Sequence, residues 1–211
     1  MSSNPASFKP IVTTDRLEAF SDGVFAIAIT LLVFGIKVPV VSGVDVSAEL
    51  RHQLLALWPS YLSFGVSFTI ISIFWIGHHH MFRLISRSNR TLLWLNNVFL
   101  MCVSFIPFPA SLISLYGRER ISMILYCGTT IITGIALYMI WAYASTGGRL
   151  LYAGIPKRVI QVAGWRILGG TFFYGVALGL AFVSLTASRI LLVFIPLFYL
   201  LPSSIDPHIE E

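Results

Sequence analysis

Residues 16–33 have the sequence RLEAFSDGVFAIAITLLV, a polar first turn followed by an almost wholly apolar run. Asp22 is the last acid before that run begins. Charge inside a bilayer is costly unless it has a partner or a function. The segment therefore predicts a membrane-spanning helix in which Asp22 needs a defined polar environment.

The composition extends this prediction to the whole chain. Hydrophobic residues make up 56% of the 211 residues, charged residues only 11%, and the mean hydropathy is +0.84. A soluble domain carries about a quarter charged residues. Several uncharged runs exceed the roughly 20 residues that span a bilayer, and their lack of alternation favours helices over barrel strands. We predict an all-α polytopic membrane protein.

The uncharged runs divide the chain into six predicted spans with one repeat per chain. They form a single six-helix transmembrane domain over 15–205, between an N-terminal tail (1–14) and a C-terminal tail (206–211). The last span is short and contains Pro196. The predicted spans are 16–37, 54–82, 91–116, 121–146, 160–186 and 189–203.

Two connections are rich in basic residues, and the others mix charges of both signs. By the positive-inside bias, these two loops and both termini face the cytoplasm, as expected for an inner-membrane protein with an even number of spans. The net charge of +5 then reflects orientation and gives no reason to infer nucleic-acid binding. The basic residues are Arg83, Arg87 and Arg90 in one loop and Arg149, Lys157 and Arg158 in the other.

Polar residues of the first three spans lie at similar depths. Asp22 is about 9 Å along the helix from Arg16, His79 about 6 Å from Arg83, and Asn96 about 9 Å from Arg90. Arg16 and Asp22 point about 120° apart and cannot pair directly. We therefore predict a hydrogen-bonded cluster joining the first three spans. Its candidate members are Asp22, Trp75, His78, His79, Asn96 and Asn97.

The run His78-His79-His80 raises the question of a metal site. Successive helical residues point about 100° apart, so the three imidazoles cannot all bind one ion. Zinc prefers four ligands, and Asp22 is the only acid at this depth. Structural hydrogen bonding between helices is therefore favoured over metal binding, and no cofactor is expected.

Beyond Asp22 an apolar stripe recurs at i, i+4 and i+7: Ile27, Leu31 and Phe34, with Thr30 beside it. Such a stripe packs against neighbouring helices or lipid, or it lines a hydrophobic pore. Periodicity alone favours packing.

Three motifs together change that preference. They are RxxxFSDGVFAIAITLL at 16–32, FWIGHH at 74–79, and an Asn-Asn pair at 96–97 followed by FIPFP at 105–109. This combination resembles the transmembrane protein 175 family of lysosomal potassium channels, especially its prokaryotic members. The resemblance covers the whole six-span layout.

The resemblance implies a homotetramer in which the first helix of each copy lines a central pore for potassium. No T-V-G-Y-G filter string occurs in the sequence. The family's constriction falls on Ile27, with further apolar rings at Leu31 and Phe34. An aliphatic residue is usual at the third ring, so Phe34 departs from the pattern. The hydroxyl layer linked to cation selectivity falls on Thr30.

The resemblance also implies that a polar group around the first helix is scaffolding for the pore. This polar group consists of Arg16, Phe20, Ser21, Asp22 and His78.

Two function classes other than a channel are also compatible with a polytopic membrane protein. A proton-coupled secondary transporter would use Asp22 and His79 as a relay, but the discontinuous helices and internal repeats typical of transporters are not evident. An intramembrane enzyme is disfavoured because no nucleophile–base pair or metal-ligand set assembles. The expected partners are a bilayer, monovalent cations and other copies of the same chain.

Overall fold

A computed structural model of the chain describes residues 14–41, 45–148 and 150–200. Within these ranges the structure is helical apart from turns and one isolated bridge between Ile85 and Leu151, which confirms the predicted all-α class. Two short 3₁₀ turns cover Leu32–Gly35 and Thr146–Gly148. The α-helices are α1 (Asp15–Leu31), α2 (Val46–Ala56), α3 (Trp58–Phe82), α4 (Arg90–Phe105), α5 (Pro107–Tyr116), α6 (Arg120–Ser145), α7 (Lys157–Val183) and α8 (Leu185–Leu200).

Five helical segments of the described chain are long and apolar enough to cross a membrane. The helix at the sixth predicted span is α8, with only 16 residues and Pro196 inside it. At 1.5 Å per residue it is about 24 Å long, short of a hydrocarbon core of about 30 Å. A sixth crossing therefore stays a prediction. The five segments are Asp15–Gly35, Trp58–Phe82, Arg90–Tyr116, Arg120–Gly148 and Lys157–Val183.

Two predicted spans are interrupted in the structure. The third is broken at Ile106, between α4 and α5, because Pro107 has no amide hydrogen to continue the helical ladder. The second was predicted to begin at residue 54, but residues 54–56 belong to the separate helix α2. The chain turns at Leu57, and Pro59 lies in the first turn of α3. Hydropathy alone does not register either break, since all these residues are apolar or small.

The two basic loops meet at one end of the bundle. The Ser86 amide donates to the Leu150 carbonyl at 2.7 Å, and the Tyr152 amide donates to the Leu84 carbonyl at 3.1 Å. These bonds tie the α3–α4 connection to the α6–α7 connection. At the opposite end, the hydroxyls of Ser60 (α3) and Ser114 (α5) lie 2.6 Å apart.

The predicted tails, 1–14 and 206–211, lie outside the described residues, except for Thr14. Arg149 of the second basic loop also lies outside them.

Helix α6 forms the centre of the core, packed between α4 and α7. Its Trp141 is fully buried and donates its indole hydrogen to the Ile160 carbonyl at 3.0 Å. Its Gly134 lies so close to Thr171 of α7 that no side chain fits between them. Helix α1 instead packs mainly on α3 and α4, which leaves one of its faces uncovered in the single chain.

Candidate functional site

Helix α1 has two sharply different faces. The residues of the buried face recur every three or four positions into the 3₁₀ turn, and they pack on the bundle. The opposite face is exposed along the whole helix. A helix held by one face and free on the other presents that free face to lipid or to another chain. The buried face consists of Leu17, Ser21, Phe25, Ala28 and Leu32.

The buried face carries a relay of three hydrogen bonds that joins α1, α3 and α4. His78 Nε2 lies 2.9 Å from Asn96 Oδ1, Asn96 Nδ2 donates to Ser21 Oγ at 3.0 Å, and Ser21 Oγ donates to the Leu17 carbonyl at 2.8 Å. Ser21, His78 and Asn96 are all buried.

The relay has one self-consistent direction. The single hydroxyl hydrogen of Ser21 is used on the Leu17 carbonyl, so Ser21 Oγ must accept from the amide nitrogen of Asn96. The carbonyl oxygen of Asn96 therefore faces His78, whose Nε2 carries the hydrogen. These bonds satisfy the Ser21 hydroxyl, the side-chain amide of Asn96 and Nε2 of His78, as burial in an apolar interior requires. This arrangement fixes the height and rotation of α1 against the bundle.

Aromatic rings surround the imidazole of His78. The ring of Phe82 stacks on it with centroids 4.3 Å apart, and the ring of Phe99 lies nearly parallel at 5.6 Å. Phe25 of α1 approaches at 5.8 Å with its ring tilted. Sequence reasoning missed these three phenylalanines. The signal was available, because Phe25 is one helical turn beyond Ser21 and Phe82 one turn beyond His78.

Asp22 belongs to a second, more exposed set of contacts. Its Oδ1 accepts the indole hydrogen of Trp75 at 2.8 Å, and the Trp75 ring stacks on His79 with centroids 5.8 Å apart. The expected Asp–His–Asn network is thus divided in the structure. Asp22 is one residue past Ser21 on the helix, which turns its side chain about 100° away from the buried relay.

The remaining predicted members of the polar group lie outside both sets of contacts. Arg16 and Phe20 are exposed in the single chain, Phe20 with 57% of its surface accessible, and Asn97 is exposed next to the buried Asn96. Within the part of the chain that the structure describes, no cluster of three or more His, Cys, Asp or Glu side chains is placed to hold a metal ion.

The apolar stripe lies on the exposed face of α1 and its 3₁₀ extension. Ile27 is 61% exposed, Leu31 43% and Phe34 78%. Thr30 is also exposed, and its hydroxyl donates to the Ile27 carbonyl at 2.9 Å. The hydroxyl hydrogen of Thr30 is therefore used within the helix, and its oxygen lone pairs remain free to face a cation.

Phe34 lies in the 3₁₀ turn rather than in an α-helix. In a 3₁₀ helix, residues three apart eclipse one another. Phe34 therefore follows Leu31 on the same line, and the stripe stays continuous although the helix type changes.

Comparison with known proteins identifies the family. A family model described as endosomal/lysosomal potassium channel TMEM175 matches residues 16–107. A potassium channel of Chamaesiphon minutus is 39% identical over 178 residues, which cover 83% of this chain and 87% of that protein. The chain belongs to the TMEM175 family. The resemblance drawn from the three motifs is thereby confirmed.

One further relative and one solved structure agree with this membership. A potassium channel of Streptomyces collinus is 38% identical over 173 residues, covering 80% of this chain and 82% of the relative. The crystal structure of a lysosomal potassium-selective TMEM175 homologue from C. minutus superposes with a TM-score of 0.78 at 35% identity, covering 88% of this chain and 95% of that one. The apolar stripe of α1 and the buried relay of Ser21, His78 and Asn96 lie within the region that the family model matches.

Proposed function

We propose that this protein is a potassium-permeable cation channel of the cell membrane, formed by four copies with α1 of each lining the pore. The observation that carries the proposal is the exposed apolar stripe of Ile27, Leu31 and Phe34, which lies on a different side of α1 from the buried Ser21–Asn96 relay. Within residues 14–41, 45–148 and 150–200 this face is left open, so one copy encloses no conduit with it. Copies that converge on it bury the stripe and create an axial pore. The names of the C. minutus and S. collinus relatives support potassium as the permeant ion.

In this arrangement Ile27 forms the narrowest ring. Four sec-butyl side chains around an axis make a short dry neck, which stops ions by dewetting when it is tight. Potassium loses its water at lower cost than sodium, so a tight neck favours potassium without a carbonyl filter. Thr30 adds a ring of hydroxyl oxygens beside the neck, a second element of cation selectivity.

The Ser21–His78–Asn96 relay supports the neck without contacting ions. Ile27 lies six residues beyond Ser21, about 9 Å farther along α1, and its side chain points about 120° away from that of Ser21 around the helix. A rotation of α1 about its axis would break the bonds of Asn96 and turn Ile27 away from the pore. We infer that the relay holds the neck in register. The more exposed part of this scaffold lies near the N-terminal end of α1 and consists of Arg16, Phe20, Asp22, Trp75 and His79.

The test is the Ile27→Asn variant in planar bilayers. An amide wets the neck, so permeability to sodium is expected to rise relative to potassium by at least about five-fold, about 1 kcal/mol in relative barrier height. The control is Ala26→Asn, which makes the same kind of substitution at an exposed position next to the stripe. Leu17→Asn would not serve, because Leu17 is buried. A sodium-to-potassium ratio that stays fixed in Ile27→Asn means that the neck does not select.

The same recordings separate a channel from a proton-coupled transporter built on Asp22 and His79. A channel gives unitary current steps with no requirement for a proton gradient. Flux that saturates with substrate and depends on the gradient would favour the transporter. The proposed function involves no enzymatic step and no cofactor.

A further inference from the structure

A shallow, partly open cleft lies behind the 3₁₀ turn that follows α1, between that turn, α3 and α5. Four serines line it, and each hydroxyl is bonded. Ser60 and Ser114 bond to each other at 2.6 Å, Ser63 donates to the Ala110 carbonyl at 2.8 Å, and Ser111 donates to the Pro107 carbonyl at 3.0 Å. This wall is therefore held in place by its own hydrogen bonds.

Gly35 is the point where the 3₁₀ turn touches the wall. A Cβ added at Gly35 would lie 2.8 Å from Ser111 Oγ, closer than real Cβ contacts, and 3.7 Å from Ser111 Cβ, an ordinary contact. The backbone of Gly35 does not have positive φ, so an alanine there is strained only by this contact. The close approach to Ser111 of α5, rather than the conformation of the turn, is what favours glycine at this position.

The contact bears directly on Phe34. The turn has only four residues, with Leu32 buried on the bundle, Gly35 against Ser111, and Phe34 78% exposed between them. With Ser111 held by its hydrogen bond to the Pro107 carbonyl, the turn has to move away from α5 by about 0.6 Å to bring an alanine at position 35 to an ordinary contact near 3.4 Å. That movement carries the Phe34 ring away from the bundle and toward the face on which the copies converge.

We propose that the Gly35–Ser111 contact is a positioning element that sets how far the Phe34 ring projects into the pore. This inference rests on the proposed function. A displacement of about 0.6 Å in each of four copies narrows that ring by roughly 1.2 Å in diameter, a large change for a pore that passes partly dehydrated ions. Gly35 and Ser111 are positioning residues that touch no ion themselves.

The test compares unitary potassium conductance in planar bilayers for wild type, Gly35→Ala and the double variant Gly35→Ala/Ser111→Ala. Gly35→Ala is expected to lower the conductance at least two-fold. The double variant is expected to recover it, because the Oγ that collides is gone and the remaining neighbour is 3.7 Å away. Gly175→Ala is the matched control, since nothing lies within 4 Å of its added Cβ, and it should match wild type.

A second pair of variants shows whether Phe34 transmits the effect. In a Phe34→Ala background the ring is absent, so adding Gly35→Ala should change the conductance by less than about 1.3-fold, under 0.2 kcal/mol. A merely structural role for Gly35 would lower conductance or assembly equally in both backgrounds. That result overturns the proposal.

Other outcomes are equally decisive. Gly35→Ala with wild-type conductance means that the Ser111 hydroxyl swings aside and the contact sets nothing. If Gly35→Ala fails to assemble, Ser111→Ala must restore both assembly and conductance in the double variant, and its failure to do so refutes the inference. A wild-type protein that carries no potassium current refutes the proposed function instead.

Discussion

Asn96→Leu tests the buried relay most sharply. The substitution keeps the side chain close in size but removes both hydrogen bonds of Asn96, to His78 at 2.9 Å and to Ser21 at 3.0 Å. Hydrogen bonds between membrane helices contribute about 0.6 kcal/mol on average, and leaving the buried His78 N–H unpaired costs a further 1–3 kcal/mol or so. We therefore expect a loss of about 2–4 kcal/mol.

The measurement is SDS-induced unfolding of the purified protein in mixed micelles at one fixed protein concentration, because assembly makes stability depend on concentration. Asn97→Leu is the matched control: it is the same change one residue away on an exposed position, expected to cost less than about 0.5 kcal/mol.

His78→Phe completes a double-mutant cycle with Asn96→Leu. Phenylalanine keeps the stacking on Phe82 and Phe99 but cannot donate to Asn96. With both partners apolar, no buried donor of the pair is orphaned, so the double variant should be about 1–2 kcal/mol more stable than the sum of the single effects predicts. Strict additivity, or equal losses in Asn96→Leu and Asn97→Leu, would refute the relay as the support of α1.

Three further substitutions follow from the same geometry. Asp22→Ala removes the acceptor of the Trp75 indole hydrogen bond, so it should lower the yield of assembled protein on size-exclusion chromatography. The potassium-to-sodium permeability ratio in bilayers should stay within about two-fold of wild type, and a well-formed oligomer with an altered ratio would contradict this. Gly134→Ala places a methyl group against Thr171 between α6 and α7, and a thermal melt should show a loss of about 1–3 kcal/mol, whereas an unchanged melt would mean that the two helices separate freely. Tyr126→Phe removes a buried hydroxyl bonded to Ser67 at 2.8 Å and should cost about 1–2 kcal/mol in SDS unfolding, with no loss if Ser67 finds another partner.

The fold class was accessible from sequence because the bilayer leaves few solutions. Long runs without charge can only be helices, and the limits of those runs located most boundaries to within a few residues. The breaks at Leu57 and Ile106 were not accessible in the same way. Pro59 and Pro107 are visible in the sequence, but whether a proline kinks a span or ends a helix depends on the packing around it.

The polar cluster was partly accessible from depth alone. Counting residues from Arg16, Arg83 and Arg90 placed the polar side chains of α1, α3 and α4 at one level, and the structure joins two sets of them there. Depth does not give rotation, so the pairing of Asp22 with Trp75 rather than with a histidine needed coordinates. The exposed face of α1 was visible in the sequence as an apolar stripe, and family membership adds the reason to prefer a pore over lipid as its surroundings.

The most direct test of the central claim is a cryo-electron microscopy map of the protein in lipid nanodiscs. The account predicts four copies around one axis, with the Ile27 side chains of all four facing that axis and forming its narrowest point. A map in which Ile27 faces the lipid would contradict the account, whatever the number of copies.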